Sequence, residues 1–192
     1  MKDRETERED DRGRLIEIVR QRSFRAGVET KLASGRRSTF YFNMKPTMLN
    51  PEGAFLIGGL ICDAIRDDRA EFIGGLEMGA VPIATAVAVV SHSRGVSLPA
   101  FIVRKRAKDH GTQALIEGLS DNESIAGRAT VIVEDVTTTG GSALNAVETV
   151  RAAGGEILRV VTVVDRREGA TAAFQSAGVP FSSLLSIDDF VE

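Results

Sequence analysis

From Glu134 to Ser142 the chain reads Glu-Asp-Val-Thr-Thr-Thr-Gly-Gly-Ser. The hydroxyls of Thr137, Thr138, Thr139 and Ser142, with the backbone N–H groups around Val136, Gly140 and Gly141, make an anion cradle if they occupy a strand-to-helix turn. There the amides point inward and the helix dipole adds positive potential. Glycine permits the tight turn and a close approach of the ligand. Glu134 and Asp135 would repel the same anion. They suit ribose hydroxyls or a divalent cation instead. The segment lacks both the Gly-Lys-Ser/Thr of a nucleotide-triphosphatase loop and the Gly-x-Gly-x-x-Gly of a dinucleotide fold.

A second segment, Arg104-Lys105-Arg106-Ala107-Lys108-Asp109-His110, carries four cations and one carboxylate in a chain of net charge −3. Alone, such a run reads most simply as a solvated hairpin. Opposite an anion cradle it acquires a purpose, because a protein whose average field repels a polyphosphate needs a local reversal of sign to bind one. Two further places are open to either of two readings. Tyr41 and Phe42 would stack on a flat ring or fill the core of a small sheet. Arg166, after an apolar strand, would pair with a carboxylate through its planar fork or lie on the surface beside Asp165 and Arg167. His92 reads as a surface residue and Cys62 as core, and Met44 and Met48 carry no metal pattern.

The elements that must hold these residues follow from periodicity. Residues 1–14, with five basic and six acidic side chains, read as a solvated tail or a frayed helix start. Leu15, Ile18 and Val19 recur at helical spacing, and Thr39–Asn43 is aromatic and strand-like. Asn50-Pro51 starts a helix, with Asn50 as its cap, running to about Asp67 and burying Phe55, Leu56, Leu60, Cys62 and Ile65. Apolar runs then begin at Phe72, Ala100, Thr130 and Leu158, with a last one at Phe181–Leu185, and helix-compatible stretches lie at 81–90, 142–153 and 170–177. Apolar strands alternating with helices predict a parallel sheet covered on both faces. Ligands bind at the carboxyl ends of such strands.

Composition narrows the function classes. One domain is expected from 192 residues, of which 43% are hydrophobic. A net charge of −3 argues against a general nucleic-acid partner. There is no apolar run of membrane length and no secretory h-region, so a cytoplasmic, membrane-free protein is expected. A lone cysteine and two distant histidines exclude a disulfide framework and a cysteine- or histidine-built metal centre.

Val131–Ser142 resembles the phosphoribosyl diphosphate (PRPP) signature of the type I phosphoribosyltransferases. Over about residues 15 to 190 the chain resembles the orotate-using members of that family. Ser34–Asn43 resembles their orotate-side segment, Arg104–Gly111 their catalytic loop, Arg-Lys-x-x-Lys-x-His-Gly, and Val163–Arg166 their late strand. The resemblance implies an α/β fold: a Rossmann-like parallel-sheet core, residues 15–192, with a small N-terminal α/β hood mainly within 15–50. It implies transfer of the phosphoribosyl group of PRPP to orotate, with Mg²⁺ as cofactor, giving orotidine 5′-monophosphate and pyrophosphate on the route to UMP. Arg104, Lys105, Lys108 and His110 would contact pyrophosphate, some of them across a homodimer interface, and Lys108 would stabilise the departing charge. Lys108, His110 and Asp135 would be the catalytic residues. Glu134 and Asp135 would hold the ribose and lie near the Mg²⁺, which PRPP itself mainly carries. The stretch from Val136 through Thr137, Thr138, Thr139, Gly140, Gly141 and Ser142 would hold the 5′-phosphate. Tyr41, Phe42, Thr138 and Arg166 would face orotate.

Two departures stand out. Glu77-Met78-Gly79 occupies a turn where some members place a lysine, and Ala33 stands where many have one. In the family the backbone of the first turn holds pyrophosphate. A different base, purine or pyrimidine, and a non-catalytic PRPP-sensing role are the competing readings.

Overall fold

The computed structural model describes residues 4–31, 37–106 and 115–191. Helix α1 (Arg4–Arg22) opens the chain, and a hairpin of β1 (Phe24–Lys31) and β2 (Arg37–Phe42) follows. A short α2 (Lys45–Met48) leads into α3 (Pro51–Ala64). The core then alternates: β3 (Phe72–Leu76), α4 (Ala80–Ser93), β4 (Ala100–Val103), β5 (Ile116–Glu117), β6 (Ala129–Thr137), α5 (Gly141–Ala152), β7 (Glu156–Asp165), α6 (Ala170–Ser176) and β8 (Phe181–Ser186).

The six-stranded sheet has the order β5-β4-β3-β6-β7-β8. β4, β3, β6, β7 and β8 run parallel, and β5 is an antiparallel edge. From β3 the chain moves outward to β4, then returns to lay β6 on the other side of β3. The connections after β3 and β6 therefore leave in opposite directions and open a crevice between them, the topological switch point at which α/β sheets bind ligands. Side chains on the central strand alternate between the faces, as a period of two requires. Val131 and Val133 join the core under α1, α3 and α4, while Ile132 joins the one under α5 and α6. α5 meets that second core through Ala143, Ala146, Val147 and Val150, a helical stripe.

The sequence expectations hold for the alternating core and for the helix at Pro51, where Asn50 Oδ1 accepts the Gly53 amide at 3.0 Å. Several details differ. The charged stretch before Leu15 is helical from Arg4 and docked. Arg12 forks onto both oxygens of Asp189 at 2.8 and 2.7 Å, and Arg14 pairs with Glu52 at 2.7 Å. α3 ends at Ala64, and its buried face is Leu56, Ile57, Leu60 and Ile61. Phe55 lies off that face and is 60% exposed, because adjacent helical residues point 100° apart. Cys62 is only half-buried. β1 has no clean alternation to announce it: its pairing slips between Ala26 and Thr30, around Gly27 at φ +76°. β6 runs on through Thr137, so Glu134 and Asp135 belong to the strand.

Candidate active site

β6 ends at the switch point with Glu134 buried and Asp135 partly so. Glu134 Oε1 accepts the Asp135 amide at 3.2 Å, and Asp135 Oδ1 accepts the Val136 amide at 2.8 Å. Glu134 Oε2 is buried without a hydrogen-bond partner. Burial holds the Glu134 carboxyl well above the ordinary carboxylate range. The negative charge of Asp135 pushes it the same way, and the Lys105 ammonium opposes them.

After the strand, Thr137 is 2% exposed and its hydroxyl also has no partner. Gly140 caps α5 at φ +87°, a left-handed conformation that glycine adopts without steric cost. A side chain there would also press on Phe174, 3.2 Å from an added Cβ. Glu134, Val136 and the run from Thr137 to Ala143 line a cavity of about 210 Å³ at the α5 N-terminus. Thr138 is half-buried, while Thr139, Gly141 and Ser142 are exposed. A larger hollow of about 370 Å³ lies at the opposite end of the strands, between Glu71, Asn122 and Arg128. It holds none of the sequence-nominated residues, so the smaller cavity is the candidate site.

The 77–79 turn closes the other wall of the crevice. A Cβ on Gly79 would fall 2.6 Å from Asp135 Oδ1 and 3.1 Å from Glu134 Oε1, so the turn lies directly on the acidic pair. Gly79→Ala is expected to push the pair aside. Overpacking of this kind costs about 1–3 kcal/mol, which should weaken binding of the PRPP that the resemblance implies about tenfold in calorimetry; unchanged binding would show that the turn yields freely.

The cationic segment leaves β4 beside this turn. Arg104 donates its amide to Leu115 O at 2.8 Å and its guanidinium to Glu117 at 3.2 Å and to Arg106 O at 3.2 Å. Lys105 is exposed, within electrostatic reach of Glu134. Lys108 and His110 lie outside the described residues, as do Ala33 and most of Ser34–Ser38. At the end of β7, the Arg166 amide donates to Thr137 O at 2.9 Å, joining this position to the cradle. Its guanidinium is 4% exposed and paired with Glu168 at 2.8 Å, so Arg166 is no surface residue.

The aromatic pair divides between the two faces of β2. Tyr41 is 41% exposed. Phe42 is buried, with ring centroids 5.0 Å from Phe24 and 5.2 Å from Phe190. Of the two sequence readings of Phe42, its packing favours the hood core, while Tyr41 presents its ring to the surface. Sequence reasoning also missed Glu168 as the partner of Arg166, and the part played by Glu77. Glu77 meets Lys105 from 28 residues away, which no local spacing marks, whereas Glu168 stands only two residues beyond Arg166.

Comparison with known proteins agrees with this geometry. Residues 48–177 match the phosphoribosyl transferase domain family. An orotate phosphoribosyltransferase of Rhodopseudomonas palustris is 58% identical over 180 residues, 94% of this chain and 96% of that protein. The crystal structure of Mycobacterium tuberculosis orotate phosphoribosyltransferase with Fe(III) dicitrate has a TM-score of 0.81 at 40% identity, covering 95% of this chain and 99% of that one. The same enzyme with 5-phospho-α-D-ribosyl 1-diphosphate has a TM-score of 0.76 at 38% identity, covering 93% and 98%. With a switch-point cradle, an acidic pair at its strand end and relatives matched over nearly their whole length, the chain belongs to the orotate phosphoribosyltransferases of the phosphoribosyl transferase domain family.

Proposed function

We propose that this chain transfers the phosphoribosyl group of PRPP to orotate, giving orotidine 5′-monophosphate and pyrophosphate in the formation of UMP. The observation that carries the reading is the cavity at the α5 N-terminus, lined by Glu134 and residues 136–143, which sets the amides and hydroxyls of a helix start beside a strand-end carboxyl. The 5′-phosphate takes the amides and hydroxyls of 137–142, and Glu134 and Asp135 accept the ribose hydroxyls. Tyr41, Thr138 and Arg166 lie on the base side.

In the reaction, the pyrimidine nitrogen of orotate, its proton lost, forms a bond to the anomeric carbon. The carbon–oxygen bond to pyrophosphate breaks, and its electron pair leaves with that group. Positive character on the ribose develops beside the acidic pair, and negative character on pyrophosphate develops beside Lys105, Arg104, Lys108 and His110. Interactions that strengthen along this path lower the barrier. Glu134 and Asp135 are hard oxygen donors that fit Mg²⁺ as partial ligands. The cation would be held mainly by PRPP and water, as the family resemblance implies and as Mg²⁺ commonly is. When bound it supplies charge neutralisation at the diphosphate. A homodimer sharing the cationic segment across its interface, and a cytoplasmic location with no nucleic-acid or membrane partner, complete the proposal. Among the described residues no helix is long and apolar enough to cross a membrane.

The test is orotate consumption with PRPP and Mg²⁺, run beside uracil, hypoxanthine and adenine. Orotate alone should be consumed, and chelation of Mg²⁺ should stop the reaction until the ion is restored. Consumption of a purine instead would move the chain to another base. PRPP binding without pyrophosphate release would make it a sensor.

A further inference from the structure

We infer that Glu77 is a positioning residue, whose carboxylate holds the backbone amide of Lys105 and so fixes the cationic stem of residues 104–106 against the acidic pair. The inference rests on the phosphoribosyl transfer proposed above.

The parallel ladder between β3 and β4 ends at the pair Leu76 and Val103. One residue further on, the Glu77 amide still donates to Val103 O at 2.8 Å. In a continuing parallel ladder the carbonyl of residue 77 would next accept the amide of residue 105. Here Glu77 Oε1 accepts that amide instead, at 2.9 Å. The side chain stands in for the backbone carbonyl and brackets Arg104 from the β3 side. On the other side, Arg104 donates to Leu115 O and pairs with Glu117. The substitution releases the backbone of residues 77–79 from the sheet, and the turn can then cross to Asp135, where Gly79 packs. One carboxylate thus reconciles two demands: the turn must leave β3 to reach the acidic pair, and the neighbouring strand must keep its bond. Glu77 is half-buried and does not line the cradle cavity, so its effect on the reaction is read through the Lys105 amide that it holds. An acceptor is needed, and no charge is required of it.

The experiment compares the full-length chain with Glu77→Ala and Glu77→Gln, reading steady-state kinetics for both substrates, thermal stability, and hydrogen exchange at the Lys105 amide. Glu77→Ala is expected to speed exchange at that amide about tenfold and to raise the PRPP KM about tenfold, the upper scale of one ordinary hydrogen bond, with the orotate KM unchanged. Glutamine keeps the acceptor oxygen and should restore both readings. Equal PRPP kinetics in Glu77→Ala and wild type would overturn the inference, as would glutamine failing to rescue, or equal losses toward PRPP and orotate. If Glu77→Ala does not fold, the wild-type Lys105 amide decides: slow exchange supports the bond, and exchange at the random-coil rate removes it. A wild-type chain that leaves orotate unconsumed while Lys105 protection still depends on Glu77 would sink the proposed reaction and leave the contact standing.

Discussion

Glu134→Gln should make the ligand-free protein more stable at neutral pH and a far poorer enzyme. The carboxyl titrates well above its ordinary range because it is buried beside Asp135. A raised acid binds its proton more tightly in the folded state than in the unfolded one. Stability therefore falls as pH rises from the unfolded value through the folded one, and the full penalty is present above it. Glutamine never ionises, and its amide can donate to Asp135 as the protonated carboxyl would. Its advantage should be absent at pH below the ordinary carboxylate range, grow as pH rises through the folded pKa, and then level off. In a chain of this size each kcal/mol regained appears as roughly 2–4 °C in Tm. The same change removes a carboxyl oxygen that can give up its proton and accept from the ribose, and kcat/KM for PRPP should fall about 10²-fold, near the upper range for one lost hydrogen bond to a charged group. Melting curves across pH and steady-state kinetics check both halves. A Tm difference independent of pH would mean that Glu134 is not the strained acid. Unaltered PRPP kinetics would mean that it does not meet the ribose.

That opposition of stability and function explains why the acidic pair stood out in the sequence while its setting did not. Glu and Asp are poor strand formers, so the pattern stopped the strand at Val133, whereas β6 continues through both acids to Thr137. Neighbours decide the matter. Glu134 pairs with Thr162, and Thr137 with Asp165, in a ladder that local propensity cannot see. The cradle from Thr137 to Ser142 was legible because all of its parts are contiguous, strand end, glycines and helix start alike. Contacts assembled by topology were not. Gly79 against Asp135 and Glu77 on Lys105 each depend on which loops the strand order brings together. Phe42 shows the limit differently. An aromatic strand announces two faces, but only the structure says that Phe24 and Phe190 claim one of them.

Replacing Lys108 by alanine should lower turnover about 10²-fold or more, the scale set by removing one preorganised charge donor from a transition state. The argument starts from the charges on either side of it. Arg104 shares its guanidinium with Glu117, and the field of Lys105 falls on Glu134. Arg104 and Lys105, two of the three cations at the stem, are thus partly compensated before any ligand arrives. The stretch from Arg104 to His110 is nevertheless about +3 in a chain that is −3 overall. The cations left over are Arg106 and Lys108, with His110 two residues further on, and of these the family resemblance assigns the leaving-group charge to Lys108. Charge on pyrophosphate grows as its bond to the ribose breaks, so a cation there acts more strongly on the transition state than on bound PRPP. The loss should therefore appear in kcat more than in the PRPP KM, with Tm unmoved. Lys108→Arg should recover part of it, since the charge remains while its geometry changes. Raising the salt concentration should weaken PRPP binding in wild type and less so in Lys108→Ala, because exposed charges are screened over about 8–10 Å near physiological ionic strength. Rapid-quench and steady-state measurements separate chemistry from binding. A full-rate Lys108→Ala enzyme would take that residue out of the mechanism and leave the leaving-group charge to Arg104, Lys105 and the cation that PRPP carries.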